Sequence, residues 1–320
     1  MASTNFTVSN CLTRVPAVSA FAVEEIIMRQ RSLRVFLQYS VAVAVTLLTV
    51  FVQAEETSSG VQATGAKSEK KVQRLATPSG IRFALLGEKP AAPAPTLFVF
   101  AGGSAETLSN PNYNKAGRIL AQSGYLCISV DLPCHGEDQR PGESGGIDGW
   151  RKRVEKGDPL LKDFLARSSA VLDHLVKEGY ADPRRVAACG TSRGGFAALH
   201  FAAAEPRVRC VAAFAPVTTL PALREFKGLE KHAGTEALAV IYLTDKPAGR
   251  AVWLCIGNSD YRVNTDDAIA FTRALVKASS TKKTPVLVEL HVMPTVGHSI
   301  HDAAHDEVAA WVLKRMNDDK

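Results

Sequence analysis

The sequence predicts an α/β domain: a mostly parallel central sheet flanked by helices, with excursions above the carboxyl edge of the strands. Three observations predict it. The strand-like runs are continuously apolar rather than alternating, as in strands buried on both faces. They alternate along the chain with stretches of helical period, the order that produces right-handed β-α-β crossovers. About 266 of the 320 residues remain beyond an N-terminal targeting segment, enough for one large domain and too few for a second of similar size.

The targeting segment comes first along the chain. Arg29, Arg31 and Arg34 form a positive region, Val41 to Val52 an uncharged apolar run, and Val52-Gln53-Ala54 a cleavage site ahead of Glu55 and Glu56. Residues 1–54 therefore read as an N-terminal extension and signal peptide, and the protein as secreted or periplasmic. The apolar run is short against the roughly 20 residues of a spanning helix. A membrane is expected as a partner only if the segment stays uncleaved as an anchor. Met28 stands directly before the basic region and is a candidate true start, which would make residues 1–27 an artefact. Residues 55–76 are rich in Ser, Gly, Gln and Lys and read as a flexible leader. Residues 77–320 form the predicted domain.

Within it, strands are expected at Ile81–Leu86, Leu97–Ala101, Leu126–Val130, Val186–Cys189, Val208–Phe214, Val252–Ile256 and Val286–Val292. Helices are expected near 113–123, 160–178, 193–204, 264–279 and 302–316. Pro90 to Pro95 is expected to be a surface connection, since proline cannot serve a central strand. Two stretches fit neither pattern. Residues 132–158 are rich in Gly, Asp, Glu and Arg, and residues 217–250 mix helix and loop signals. Long excursions above the carboxyl edge commonly shape a substrate pocket or lid.

Charge and cysteines exclude several functions. The net charge is +6, reduced to +4 beyond residue 54, and its cations are interleaved with acids. No nucleic-acid stripe is present. Of the six cysteines, Cys11 precedes the signal. Cys127, Cys189, Cys210 and Cys255 fall in apolar runs and read as small buried hydrophobes. Cys134 lies in a loop and is the candidate for a bridge or a reactive thiol. Without a C-x-x-C pair, zinc-ribbon and thioredoxin-type sites are not expected.

The strongest chemical signal is Gly190-Thr191-Ser192-Arg193-Gly194-Gly195, which follows an apolar strand and opens a helix. A sharp strand-to-helix turn brings backbones so close that side chains at Gly190 or Gly194 would collide. It projects the serine hydroxyl at the helix N-terminus, where unpaired N–H groups favour negative charge. The competing reading is that Ser192 merely caps the helix. A serine nucleophile needs a base oriented by an acid. Asp260 follows one late strand and His298 follows the last, in the order Ser, Asp, His expected for such a sheet. Asp266 and Asp267 are alternatives for the acid but fall inside the next helix. His301 and His305 are spaced i, i+4 without the carboxylate-plus-histidine zinc signature and read as a solvated helix face, so no metal is expected. The oxyanion formed in acyl transfer needs preset N–H donors. Arg193 is expected to supply one and Gly103 of Ala101-Gly102-Gly103-Ser104 the other, with Ser104 a near alternative.

These residues resemble the α/β-hydrolase superfamily from about residue 80 to residue 316. Asp131-Leu132-Pro133-Cys134-His135-Gly136 is similar to its Asp-x-x-Gly-His-Gly segment, with Cys134 where glycine is usual. Gly257-Asn258-Ser259-Asp260-Tyr261-Arg262-Val263 is similar to the Gly-x-x-Asp-x-x-Val segment that carries the acid. With the serine turn, the chain looks most like the dienelactone-hydrolase and prolyl-oligopeptidase-like branch. The resemblance implies Ser192 as nucleophile, His298 as general base and Asp260 as orienting acid.

The expected function is an exported carboxylic-ester hydrolase working through an acyl-enzyme, without a cofactor. Its expected partner is a small-molecule or saccharide ester, not nucleic acid. The alternatives are a serine peptidase of the prolyl-oligopeptidase-like type and a non-catalytic binding protein that keeps the fold. The sequence sets no oligomeric state.

Overall fold

The computed structural model describes residues 71–317. The expected signal segment, the Met28 start and residues 55–70 of the leader lie outside the described residues. Eight strands form one sheet: β1 Val72–Ala76, β2 Arg82–Leu86, β3 Ala94–Phe100, β4 Leu126–Ser129, β5 Ala181–Thr191, β6 Val208–Phe214, β7 Ala251–Ser259 and β8 Val288–Val296. Their order across the sheet is β1-β2-β4-β3-β5-β6-β7-β8. β1 and β2 run antiparallel to their neighbours, and the pairings from β4 to β8 are parallel.

The helices that cover the sheet are α1 Ser104–Ser109, α2 Pro111–Gln122, α3 Gly146–Glu155, α4 Lys162–Lys177, α5 Arg193–Ala204, α6 Ala233–Glu236, α7 Thr265–Thr281 and α8 Ala304–Asn317. Side chains of a strand alternate between faces, and β3 shows the consequence. Phe98 and Phe100 join a core layer with Phe164 of α4, Phe196 and Phe201 of α5 and Phe271 of α7. Leu97 and Val99 join the opposite layer with Leu120 of α2 and Trp311 of α8. Both faces of the central strands are therefore dry, which explains their continuously apolar runs, whereas β8 at the sheet margin has no fully buried residue.

Two expectations change here. The domain begins earlier than residue 77, because β1 occupies Val72–Ala76 inside the expected leader. β1 pairs antiparallel with β2 at the sheet margin and is only partly buried, so it lacks an apolar run. Pro95 lies inside β3, not in a surface connection. It sits at a register shift, where Ala94 pairs Ala181 and Thr96 pairs Val186. A bulge is the one place a central strand tolerates a residue without an N–H.

Both excursions are packed against the domain. In 132–158, Trp150 is fully buried and its Nε1 donates to the Pro133 carbonyl at 2.6 Å. Arg153, 5 % exposed, bonds Glu143 at 2.7 Å and Asp138 at 2.8 Å. In 217–250, Leu220, Leu223, Phe226 and Val240 join the core layer of Phe98.

Candidate active site

The turn after β5 is built by sterics. A Cβ on Gly190 would stand 2.2 Å from the Gly194 carbonyl oxygen, and one on Gly194 only 1.8 Å from that of Phe100. Only glycine permits this approach. Ser192 then takes φ +56°, ψ −116°, a strained conformation for a residue with a side chain. Its N–H donates to the Phe214 carbonyl and its own carbonyl accepts from Val217, at 2.8 and 3.2 Å. These bonds tie the strained residue to β6 and the chain beyond it. The Ser192 hydroxyl makes no capping bond to α5.

That hydroxyl lies 2.9 Å from Nε2 of His298, and Nδ1 of His298 lies 2.8 Å from Oδ2 of Asp260. An ionised Asp260 can only accept, so Nδ1 is the donor to it and Nε2 is free to accept from Ser192. The Asp260 side chain is fully buried. Its other oxygen accepts from the backbone N–H groups of Arg262 and Val263 at 2.9 and 3.2 Å. Sheet register places these residues: Ser192 follows central β5, Asp260 follows β7 and His298 follows β8. A register shift between Gly257 and Ser259 bends the end of β7. Asp266 and Asp267 lie in the first turn of α7, where Asn264 caps the turn by accepting from the Asp266 N–H and donates to the Asp267 carboxylate at 2.9 Å.

The loop after β3 lies against the same turn. Nε of Arg193 donates to the Ala101 carbonyl at 2.7 Å, and the Arg193 N–H opens α5. The Ser104 N–H is engaged by Oδ1 of Asp131 at 2.5 Å. Among the described residues, no hydrogen bond uses the Gly103 N–H. Oδ2 of Asp131 accepts from Glu137 at 2.9 Å, so this carboxylate joins the loop after β3 to the loop after β4. Its role was not read from the sequence, although the segment Asp131–Gly136 marks its place.

A second connection was also missed. Arg262, two residues beyond Asp260, forms a two-pronged pair with Glu225 at 2.6 and 2.8 Å. Arg151 of α3 donates to the Glu225 and Lys227 carbonyls at 2.7 and 2.9 Å. Glu225 thus links the acid-bearing loop to both excursions.

Three side chains depart from expectation. Cys134 is 1 % exposed, and burial pushes its thiol up to about 12, so it is neither a bridge partner nor a reactive thiol. Its φ of +59° shows why glycine is usual there. His305 is buried, with its ring 4.5 Å from that of Phe214, rather than on a solvated face. His301 precedes α8 and pairs with Glu307 at 2.9 Å.

The sheet order, the turn at Ser192 and the converging side chains define an α/β-hydrolase of the serine hydrolase class. The chain belongs to the prolyl oligopeptidase family, whose profile matches residues 119–318. No curated protein gives a significant match. Among solved structures it resembles TT1662 from Thermus thermophilus (21 % identity, TM-score 0.59, covering 78 % of this chain and 98 % of that one). It also resembles acetyl xylan esterase 1 from Thermoanaerobacterium sp. (17 %, 0.53, 80 % and 86 %). A third is dipeptidyl peptidase 4 of Porphyromonas gingivalis (18 %, 0.55, 77 % and 35 %). The chain spans about a third of the length of the dipeptidyl peptidases it resembles, 36 % and 35 %. At these identities the likeness is one of fold.

Proposed function

We propose that this serine hydrolase is an exported carboxylic-ester hydrolase acting through an acyl-enzyme on a small-molecule or saccharide ester. The observation that carries the reading is the continuous chain Ser192–His298–Asp260, with both hydrogen bonds under 3 Å. Ser192 Oγ attacks the ester carbonyl carbon while Nε2 of His298 takes its proton. The imidazolium is stabilised by the buried Asp260 carboxylate. The oxyanion is held by the N–H groups of Arg193 and Gly103. On collapse, the bond from the carbonyl carbon to the alcohol oxygen breaks and Nε2 returns its proton to that oxygen. Water then attacks the acyl group, giving its proton to His298, and Ser192 leaves with the proton restored.

A peptidase reading is favoured by the family profile and by the dipeptidyl peptidases. The ester reading draws support from the acetyl xylan esterase, matched over 86 % of its length. Export rests on the sequence of residues 29–54 alone, and N-terminal sequencing of the mature protein should begin near Glu55. For the chemistry, Ser192→Ala is expected to abolish turnover of p-nitrophenyl acetate, a loss of at least ~10³-fold. Near wild-type rates in that variant overturn the assignment. A panel of amide substrates turned over faster than esters would move the reading to a peptidase.

A further inference from the structure

One polar group beside the site has no part in that mechanism. His135 follows β4, and its Nδ1 lies 2.8 Å from the Pro133 carbonyl oxygen. A carbonyl only accepts, so Nδ1 carries the proton. The same carbonyl accepts from Trp150, whose ring meets the His135 ring edge-on at 6.4 Å. The imidazole is therefore held in one orientation. Burial, with the charge of Arg193 nearby, lowers its pKa below the ordinary histidine value, so the ring is neutral at neutral pH.

Nε2 is then a bare acceptor, and among the described residues no donor meets it. Glycines keep that edge of the ring clear. A Cβ on Gly102 would stand 3.3 Å from Cδ2 and 4.0 Å from Nε2, and one on Gly146 3.8 Å from Nε2. The ring borders a cleft of about 420 Å³ that Gly103 also lines. Its other walls include Arg82, Glu106, Glu137 and Gln139, and Arg82 pairs with Glu137 across it. An alkyl chain would strip water from these polar groups and return nothing, whereas a hydroxyl can replace that water.

We infer that this cleft is the subsite for a hydroxyl-bearing part of the substrate, recognised by a hydrogen bond donated to Nε2 of His135. The inference rests on the ester reading above, because Gly103 belongs both to the cleft and to the proposed oxyanion pair. The Cβ position of neighbouring Gly102 lies 3.3 Å from the His135 ring and 3.4 Å from the Arg193 guanidinium, so the cleft adjoins the proposed oxyanion pair. His135 acts there as a specificity residue and takes no proton from the reacting atoms.

The test compares 1-monoacetylglycerol with propyl acetate, esters of three-carbon alcohols that differ by two hydroxyls. Wild-type kcat/KM should favour the glycerol ester by about tenfold, mainly through KM, the effect of one good hydrogen bond. His135→Phe keeps a planar ring without an acceptor and should bring the ratio near one. His135→Gln, which presents a carbonyl, should restore part of it. A wild-type ratio near one, or a ratio unchanged in His135→Phe, overturns the inference while turnover of both esters leaves the ester reading intact. Absence of turnover on both esters by wild-type protein overturns the two together. If His135→Phe does not fold, the wild-type ratio and the glutamine variant decide.

Discussion

The turn at Gly190–Gly195 and the excursion at residues 132–158 both redirect the chain at the carboxyl edge of the sheet, yet different forces hold them. The turn is fixed by backbone contact: absent side chains let Gly194 sit against Phe100. The excursion, besides its buried Trp150, is held by charge, since Arg153 gathers Asp138 and Glu143 around one guanidinium. Each also contains a non-glycine residue in the left-handed region, Ser192 and Cys134. Steric necessity writes a local motif into the sequence. A charge network spread over sixteen residues does not.

Breaking the steric side should cost most. In Gly194→Ala the new methyl would lie 1.8 Å from the Phe100 carbonyl oxygen, against backbone that cannot swing aside. The expected loss is about 3–5 kcal/mol, read as a shift of the urea midpoint. A loss below about 1 kcal/mol would mean the turn is less tightly constrained than its contacts imply.

Breaking the charged side should cost less. Arg153→Ala leaves the mostly buried Glu143 carboxylate without that cation, while Asp138 keeps Arg167, for a loss of about 2–3 kcal/mol. This part of the comparison also has a pH signature. Hydrogen bonds from Arg153 hold the Glu143 carboxyl at about 2, below its ordinary 4.5. A carboxyl depressed in the folded state contributes stability above its unfolded value and loses it as pH falls through the folded one. Wild-type protein should therefore lose this contribution between pH 4.5 and pH 2. Arg153→Ala should show it only weakly, through the Arg140 N–H and charge that remain beside Glu143, and urea midpoints across that window measure the difference.

The smallest effect is expected where steric and packing contributions oppose each other. Cys134→Gly removes the side chain from a left-handed residue, a gain of about 1 kcal/mol. It also empties a buried position beneath Gly149, where a Cβ would stand 2.7 Å from Cys134. That loss is of similar size. Thermal unfolding should place the variant within about 1 kcal/mol of wild type, and a larger change of either sign shows which contribution dominates.

The same contrast explains what could be read from the sequence. β3 through β7 were legible because strands buried on both faces must be apolar at every position. α5 was legible to both ends because it begins at a steric motif. β1 was not, because a marginal antiparallel strand needs only one buried face, and Gln73 and Arg74 hide it within a polar segment. Pro95 misled because the bulge that accommodates it depends on the register of β5. The three side chains at the site were legible from their positions after strands. Glu225 was invisible, since its partners Arg262 and Arg151 are 37 and 74 residues distant and no local pattern joins them. Asp131 lay within a recognisable segment, but its task of holding the Ser104 N–H appears only once β3 and β4 are side by side.

Ser192 as a nucleophile activated by His298 underlies every step of the proposed chemistry. Reaction with a fluorophosphonate, followed by peptide mapping on the folded protein, tests it without assuming a substrate. A single label on Ser192 is expected, formed at least ~10³-fold more slowly in His298→Ala. Label on another residue, or equal rates in the two proteins, would contradict it.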